Sequence, residues 1–229
     1  TDLRDYIWPT DASKSITSSF AEYRTSHFHG GIDISTRGHT GYKVFAARDG
    51  YVYRIRITPD GYGKMLYLRH RDGYATTYAH LKTFNGEINR IVREEQYRRG
   101  TYAIDLTLDP AAHPVRKGDV VAYTGDTGFG PPHLHFEIRD EHLNPINPML
   151  FGDFGIEDKL PPVVHRLLVS PLTYNSTVDN SASPKILRRF GRKNHNLTVP
   201  QHLVVHGSVG FGIDVIDRSE GTWSRAGIH

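Results

Sequence analysis

Residues 51–81 constrain the fold more than any other part of the chain. Apolar and polar side chains alternate with period two in residues 51–57, and two further short strand-like runs follow at residues 64–70 and 74–81. Turns that contain glycine, at residues 59–61 and 72–73, separate these runs. Such alternation is typical of half-buried strands, and short glycine turns join antiparallel neighbours. The sequence therefore predicts a mainly β, antiparallel sheet domain built from hairpins.

One segment, residues 85–99, departs from the strand pattern. Its apolar residues recur at helical spacing among charged ones, Asn85 can cap its start and Gly100 ends it. We expect one small amphipathic helix, inserted on the surface of the sheet.

The composition of the chain shifts near residues 160–162, where a leucine precedes two prolines. We therefore predict an N-terminal arm (1–17), a β-sheet domain (18–152) and a small β-sandwich-like accessory module (160–229). Residues 226–229 resemble the beginning of a strand, so we expect this module to be incomplete in the sequence.

The chain has no cysteine and 14 histidines among 229 residues. A zinc site in it must therefore use imidazole and carboxylate ligands, because thiolates are absent. The sequence has no apolar run long enough to span a membrane, and no leader opens it at Thr1, so we expect that any secretion signal has been removed from it or left out. A basic run at residues 185–193 lacks a recognition helix or an aromatic platform, so we expect no nucleic-acid partner.

Two stretches carry candidate metal ligands. In a strand, His133 and His135 point to the same face, because residues two apart share a face. By the same rule His29 and Asp33 share a face across Gly31, which places no side chain between them. A His/His/Asp set leaves the fourth position of a tetrahedral zinc site to water, as in catalytic sites. Glu137 faces the same way as His135 and is interpreted as a surface carboxylate, with orientation of His135 as the alternative.

Taken together, these motifs resemble the lysostaphin/LytM-type zinc metallopeptidases over roughly residues 18–150. The matching segments, in the family's order, are residues 19–20, 24, 27–34, 78–81, 117–121, 124–128 and 133–138. The resemblance implies a substrate groove over a β-sheet and endopeptidase action on peptidoglycan, with Zn²⁺ as the cofactor.

The resemblance also assigns residues one by one. It implies that His29, Asp33 and His135 bind zinc and that His80 and His133 are the two catalytic histidines. Tyr23 lies where some members place a tyrosine that stabilises the transition state. Arg24 is a rival for that role and is predicted to bind substrate.

Two features depart from the family pattern. Pro131 adds a second proline before His133, which should stiffen and narrow one wall of the groove. The segment between Leu81 and Lys117 is long, and its helix is expected to wall the groove or to dock a regulatory protein. The C-terminal module is the other candidate docking site for such a partner.

Three functions fit the sequence. The first is a zinc endopeptidase that hydrolyses peptide cross-links or stems of bacterial peptidoglycan in the periplasm or outside the cell. The second is a non-catalytic relative that binds the cell wall or activates a cell-wall amidase. The third is a protease of the same family that acts on protein. The complete set of candidate ligands and histidines favours the first.

Overall fold

The computed structural model describes residues 5–110, 112–156, 160–188, 190–193, 196–198 and 202–217. These residues form two compact units, residues 5–156 and residues 160–217. Both units are mainly β and their strands pair antiparallel, as the alternating pattern predicts. No helix in the described ranges is long and apolar enough to cross a membrane.

The first unit contains two sheets. Its strands in chain order are β1 (Ile16–Ser18), β2 (Ile32–Ser35), β3 (Lys43–Phe45), β4 (Gly50–Ile57), β5 (Lys64–His70), β6 (Ala75–Ala79), β7 (Leu81–Phe84), β8 (Ile104–Thr107), β9 (Pro114–Val115), β10 (Val120–Thr124), β11 (His133–Arg139) and β12 (Pro145–Ile146). Within the described residues, nine of these strands form a large sheet in the order β1-β2-β11-β6-β5-β4-β8, with β12 beside β11 and β9 beside β4. Strands β3, β10 and β7 form the second sheet in that order.

The core of this unit fills one face of the large sheet. Along β11, Leu134, Phe136 and Ile138 are fully buried in one hydrophobic cluster. The same cluster includes Val44 and Val121 from the smaller sheet, so both sheets share one core. Burying side chains of this size stabilises the fold by about 1.5–3 kcal/mol each. The alternation of β11 therefore directs its histidines to the opposite face.

The inserted helix, α1 (Gly86–Arg99), has the ends that the sequence predicts. The Asn85 side chain accepts a hydrogen bond from the backbone N–H of Gly86, and Gly100 closes the helix in the left-handed conformation. The helix buries Ile88 and Val92 in the shared core. A short 3₁₀ helix (Pro148–Leu150) follows β12.

Residues 5–17 of the predicted arm belong to the first unit and pack against the rest of it. Tyr6 is buried and its hydroxyl donates a 3.2 Å hydrogen bond to Asp72. The Trp8 ring meets the Phe154 ring edge-on at 5.4 Å. These contacts join the beginning of the described chain to the end of the same unit.

The second unit has its own small sheets. Its strands are β13 (Val163–Pro171), β14 (Thr177–Val178), β15 (Lys185–Leu187), β16 (Gly191–Lys193), β17 (Asn196–Thr198), β18 (Val205–His206) and β19 (Val209–Ile216). β15, β13 and β19 pair in that order, and β14–β18 and β16–β17 form two further pairs. Residues 226–229, predicted to begin a strand, lie outside the described residues, as do Arg189 and the side chains of residues 191–193 in the basic run.

Candidate active site

Three neighbouring strands bring the distant motifs together. β11 lies between β2 and β6, and its register places His135 opposite Asp33 on one side and opposite Ala79 on the other. Directly opposed residues in an antiparallel pair point to the same face. The large sheet therefore holds His135, Asp33 and the end of β6, with His80, around one point.

His29 reaches that point from a loop, which corrects the expectation that it lies in the same strand as Asp33. Strand β2 begins only at Ile32. Gly31 crosses β11 so closely that a Cβ there would lie 2.2 Å from the Phe136 carbonyl oxygen, a clash that only glycine avoids. Backbone hydrogen bonds from His29 to Glu22 at 2.9 Å and from Ala21 to His29 at 2.8 Å fix the loop.

The three predicted ligands form a tight triangle. His29 Nε2 lies 3.0 Å from Asp33 Oδ1 and 2.9 Å from His135 Nδ1, and the last two atoms are 2.9 Å apart. All three residues are buried. Ligand atoms about 2.1 Å from a tetrahedral zinc ion lie roughly 3.4 Å apart, so a small outward movement makes this triangle one face of such a site.

The hydrogen bonds on the far sides of both imidazoles decide which nitrogen faces the triangle. His29 Nδ1 lies 2.7 Å from the Ser19 carbonyl oxygen, which can only accept a hydrogen bond. His135 Nε2 lies 2.9 Å from the Glu137 carboxylate. In its neutral form each ring therefore carries its proton on the outer nitrogen and turns a lone pair inward. Two lone pairs and a carboxylate oxygen thus converge, a donor set that fits a divalent cation.

The electrostatics of the cluster favour positive charge at the same point. Burial alone would raise the pKa of Asp33, but hydrogen bonds with His135 and His29 outweigh it and hold that pKa well below its usual range. Burial would lower the pKa of His135, but Asp33 and Glu137 overcome this and raise it to about 9. The field that attracts a proton to His135 also attracts a metal ion, which takes the proton's place on binding.

Glu137 is a correction to the sequence analysis, which favoured a surface carboxylate. Its side chain is fully buried, and it accepts hydrogen bonds from His135 Nε2 at 2.9 Å and from Arg139 Nε at 2.6 Å. Gly30 and Gly31 cover it at close range. Glu137 therefore orients the His135 ring, in the way that carboxylates behind metal-binding histidines commonly do.

Replacement of Glu137 with glutamine is expected to weaken zinc binding by about 10–100-fold, the usual effect of removing a partner behind a metal ligand. The glutamine amide keeps the size of the side chain but removes the negative charge that faces His135 and Arg139. Zinc affinity is measured by competition with a chromophoric chelator. Glu141→Gln is the matched control, because that side chain is 74% exposed. An unchanged affinity in Glu137→Gln would show that this carboxylate does not act on the metal site.

Two further histidines face the same cleft. His80 Nδ1 donates to the Thr127 carbonyl oxygen at 2.9 Å, and His133 Nδ1 donates to the Pro131 carbonyl oxygen at 2.7 Å. The Nε2 atom of each ring is therefore the unprotonated one, and that of His133 lies 3.7 Å from Asp33 Oδ1. Burial, with the charge of His133 as the second cause, lowers the pKa of His80 to about 4.

The backbone around His80 is arranged to present its ring. His80 has a φ of 57°, a left-handed conformation that is uncommon for residues other than glycine and that turns the chain between β6 and β7. Its N–H donates to the Tyr62 carbonyl oxygen at 3.0 Å. Thr127, which holds the His80 ring, is fixed by its own hydroxyl, which donates to the Leu81 carbonyl oxygen at 2.9 Å.

Glycines allow the loop that contains Thr127 to dock on the turn between β4 and β5. A Cβ on Gly63 would lie 2.4 Å from the Thr127 backbone, and one on Gly128 would lie 2.1 Å from the Gly61 carbonyl oxygen. The Phe129 N–H donates to that same oxygen at 2.9 Å. The turn and the loop therefore interlock through their backbones and hold Thr127 in place.

His29, Asp33 and His135 line a cleft of about 780 Å³, within the usual range for ligand sites. Glu22, Arg24 and His27 also line it, as do residues 129–132, which include Pro131. No residue of α1 contributes to the lining, so the expectation that the inserted helix walls the groove is wrong. The predicted wall role of Pro131 agrees with its position.

Arg24 and Tyr23 have different positions. Arg24 lines the cleft, is 40% exposed, and donates from Nη2 to Asp33 Oδ2 at 3.2 Å, so it holds the carboxylate oxygen that faces away from the triangle. Tyr23 is 72% exposed, packs against Phe28 and does not line the cleft. Of these two predicted residues, the structure brings only Arg24 to the site.

Tyr62 is a cleft residue that the sequence analysis missed. Its ring lies 4.9 Å from the His135 ring and 5.9 Å from the His80 ring. Burial, together with the charge of Glu137, raises its pKa to about 12, so the phenol keeps its proton. In the sequence, Tyr62 lies between Gly61 and Gly63 and looks like an ordinary turn residue. Only the folded structure shows that its ring lies next to His135.

Residues 27–97 match Peptidase family M23. The chain is 30% identical over 151 residues to the murein hydrolase activator NlpD of Escherichia coli (strain K12), an alignment that covers 66% of this chain and 32% of that protein. It is 32% identical over 126 residues to the DD-carboxypeptidase/endopeptidase Mpg of Neisseria meningitidis serogroup B, covering 55% and 23% of the two chains. A zinc-containing peptidase from Vibrio cholerae of known structure is 26% identical, with a TM-score of 0.46 and coverage of 69% and 41%. The chain therefore spans less than half the length of each of these proteins.

Proposed function

We propose that this protein is a zinc-dependent endopeptidase that hydrolyses peptide stems or cross-links of bacterial peptidoglycan, since residues 27–97 match Peptidase family M23. One observation carries the proposal above all others. The side chains of His29, Asp33 and His135, which line a cleft, direct three ligand atoms to one point, within 3.0 Å of one another. An activator or a binding module does not require such a set.

A zinc ion held by these three residues would supply Lewis-acid activation of a water molecule and of the scissile carbonyl group. The protein supplies the proton transfers. His80 and His133 both present an unprotonated Nε2, because their Nδ1 atoms donate to backbone carbonyl groups. Either can accept the proton of the attacking water and return it to the leaving amine. The other can donate a hydrogen bond to the carbonyl oxygen as negative charge develops there, provided that its Nε2 has first taken a proton from solvent. The lowered pKa of His80 makes His133 the better candidate for this second role.

Arg24 is proposed to serve two purposes. Its hydrogen bond to Asp33 Oδ2 at 3.2 Å keeps Oδ1 directed towards the metal. The part of its guanidinium group that the cleft leaves exposed is available to a carbonyl or carboxylate group of the substrate. This arrangement is consistent with the substrate-binding role predicted for Arg24.

The proposal is tested by incubating the purified protein with peptidoglycan and separating the released muropeptides by mass spectrometry. We expect release of peptides from cleavage of a stem or cross-link, loss of release after chelation of the metal, and recovery when zinc is added back. A protein that contains zinc but releases nothing from peptidoglycan would contradict the proposal. A folded protein substrate in a parallel reaction tests the alternative that the target is protein.

The second candidate is activation of a cell-wall hydrolase, favoured by the 30% identity to a murein hydrolase activator. The two candidates differ in their need for metal ligands. An activator should increase the activity of an added murein amidase even when His135 is replaced with alanine. A peptidase should lose its own activity in that variant and leave the amidase unaffected.

Peptidoglycan as substrate implies a location in the cell envelope, either periplasmic or secreted. The helix α1 and the second unit remain candidate docking sites for a regulatory protein. On α1, Tyr97 is 80% exposed. It lies on the part of the helix that is not packed against the core.

A further inference from the structure

Two arginines lie on the face of the large sheet that carries the metal ligands. In β11, His135, Glu137 and Arg139 alternate onto that face, while the intervening residues enter the core. Arg139 of β11 and Arg69 of β5 both lie opposite Ala75 of β6. The register therefore places the two arginines on the same face, with one alanine between them.

Both guanidinium groups are held in place by the protein. Arg69 lies 5.6 Å from the centre of the Tyr53 ring and donates from Nη1 to the Gly73 carbonyl oxygen at 2.8 Å. Arg139 donates from Nε to Glu137 at 2.6 Å and from Nη1 to the Leu143 carbonyl oxygen at 3.1 Å. Side chains fixed in this way lose little further conformational entropy when they bind a ligand.

The charges of the pair are only partly balanced. Glu137 faces Arg139, but Arg69 has no carboxylate within ion-pair distance among the described residues. Ala75 is fully buried, so a ligand would reach the two guanidinium groups only at their partly exposed outer atoms. Two arginines on one face of the sheet, of which only Arg139 has a carboxylate partner, form a suitable place for a second carboxylate.

We propose that Arg69 and Arg139 form a subsite for a free carboxylate of the bound peptide. This inference rests on the proposed peptidase function and specifies its substrate as an acidic peptide stem. His135 and Arg139 are four positions apart in β11, a distance of about 13 Å along a strand. The carboxylate therefore lies on the order of four residues of extended peptide from the bond at the metal. An uncharged peptide, such as a glycine chain, would leave the subsite empty.

The test uses a fluorescently labelled stem tetrapeptide with free carboxylates and the same peptide with every carboxylate amidated. Binding of both peptides is measured by fluorescence anisotropy with wild type, Arg69→Gln and Arg69→Lys. Arg56→Gln is the matched control, because Arg56 is 46% exposed and lies 4.0 Å from Asp105. We expect wild type to bind the free acid about tenfold more tightly, as a charge-assisted hydrogen bond implies. Arg69→Gln should remove most of this preference, Arg69→Lys should keep part of it, and Arg56→Gln should keep all of it.

Equal binding of the two peptides by wild type, or an undiminished preference in Arg69→Gln, would overturn the proposal. Circular dichroism melting curves confirm that each variant is folded. Hydrolysis of peptidoglycan is measured separately, so the two proposals fail independently. If the protein cleaves peptidoglycan but binds the free-acid and amidated peptides equally well, the subsite is absent. A protein that shows the preference but cleaves nothing is not the proposed enzyme.

Discussion

His135→Ala is expected to remove zinc from the purified protein and to lower kcat/KM for a peptidoglycan peptide by on the order of a thousandfold. A catalytic metal contributes several kcal/mol of transition-state stabilisation, and each 1.36 kcal/mol corresponds to a factor of ten in rate. His135 lies at the centre of the cluster, since it contacts His29, Asp33 and Glu137. Its loss leaves two ligands and a buried carboxylate without its partner. Zinc content is measured by atomic absorption and activity by the release of muropeptides.

The matched control is His142→Ala, which makes the same substitution at a histidine whose side chain is 76% exposed. It should retain zinc and activity. Because His135 is buried, its replacement also removes packing, so the melting temperature of each variant is measured without metal. A folded His135→Ala protein that still binds one zinc ion and cleaves peptidoglycan would exclude His135 as a ligand.

The sequence predicted a helix or strand correctly where the residues that determine it lie within one short stretch. The helix is confirmed with both of its ends, because Asn85 and Gly100 act on the backbone within a turn of their own positions. The strand at His133–Arg139 is confirmed for the same reason, since its alternation reports which side chains enter the core. The prediction that His29 lies in the same strand as Asp33 is wrong. Gly31 lies outside the strand, and its lack of a side chain allows the backbone to pass close to β11.

The remaining parts of the site depend on contacts between distant segments. Tyr62 belongs to a turn, and only the docking of that turn on the loop at Gly128 brings it over His135. Glu137 looks solvated in the sequence because its strand has a polar face, yet Gly30 and Gly31 cover it in the fold. Tyr23 sits at a promising spacing but turns away from the cleft to pack on Phe28. Spacing along a chain identifies residue types, whereas burial and orientation depend on the tertiary structure.

His133→Ala is expected to retain zinc and to lower kcat by about 10²–10⁴-fold, the range that general acid–base catalysis provides. His133 lies beside the cluster, with its Nε2 3.7 Å from Asp33 Oδ1, whereas the three atoms that converge as a metal-binding group belong to His29, Asp33 and His135. The rings of His133 and His80 are 4.3 Å apart, so both face the same substrate group. Zinc content and steady-state kinetics are measured on the same preparations as for His135→Ala.

Three results distinguish the roles open to His133. Loss of zinc would make it a ligand, and a higher KM with unchanged kcat would make it a substrate contact only. A lower kcat with zinc retained is the result expected for proton transfer or for a hydrogen bond to the developing oxyanion. In that case the double variant His80→Ala/His133→Ala should lose less activity than the product of the two single losses. Residues that act as a unit are non-additive, because removing one already disables the step that the other serves.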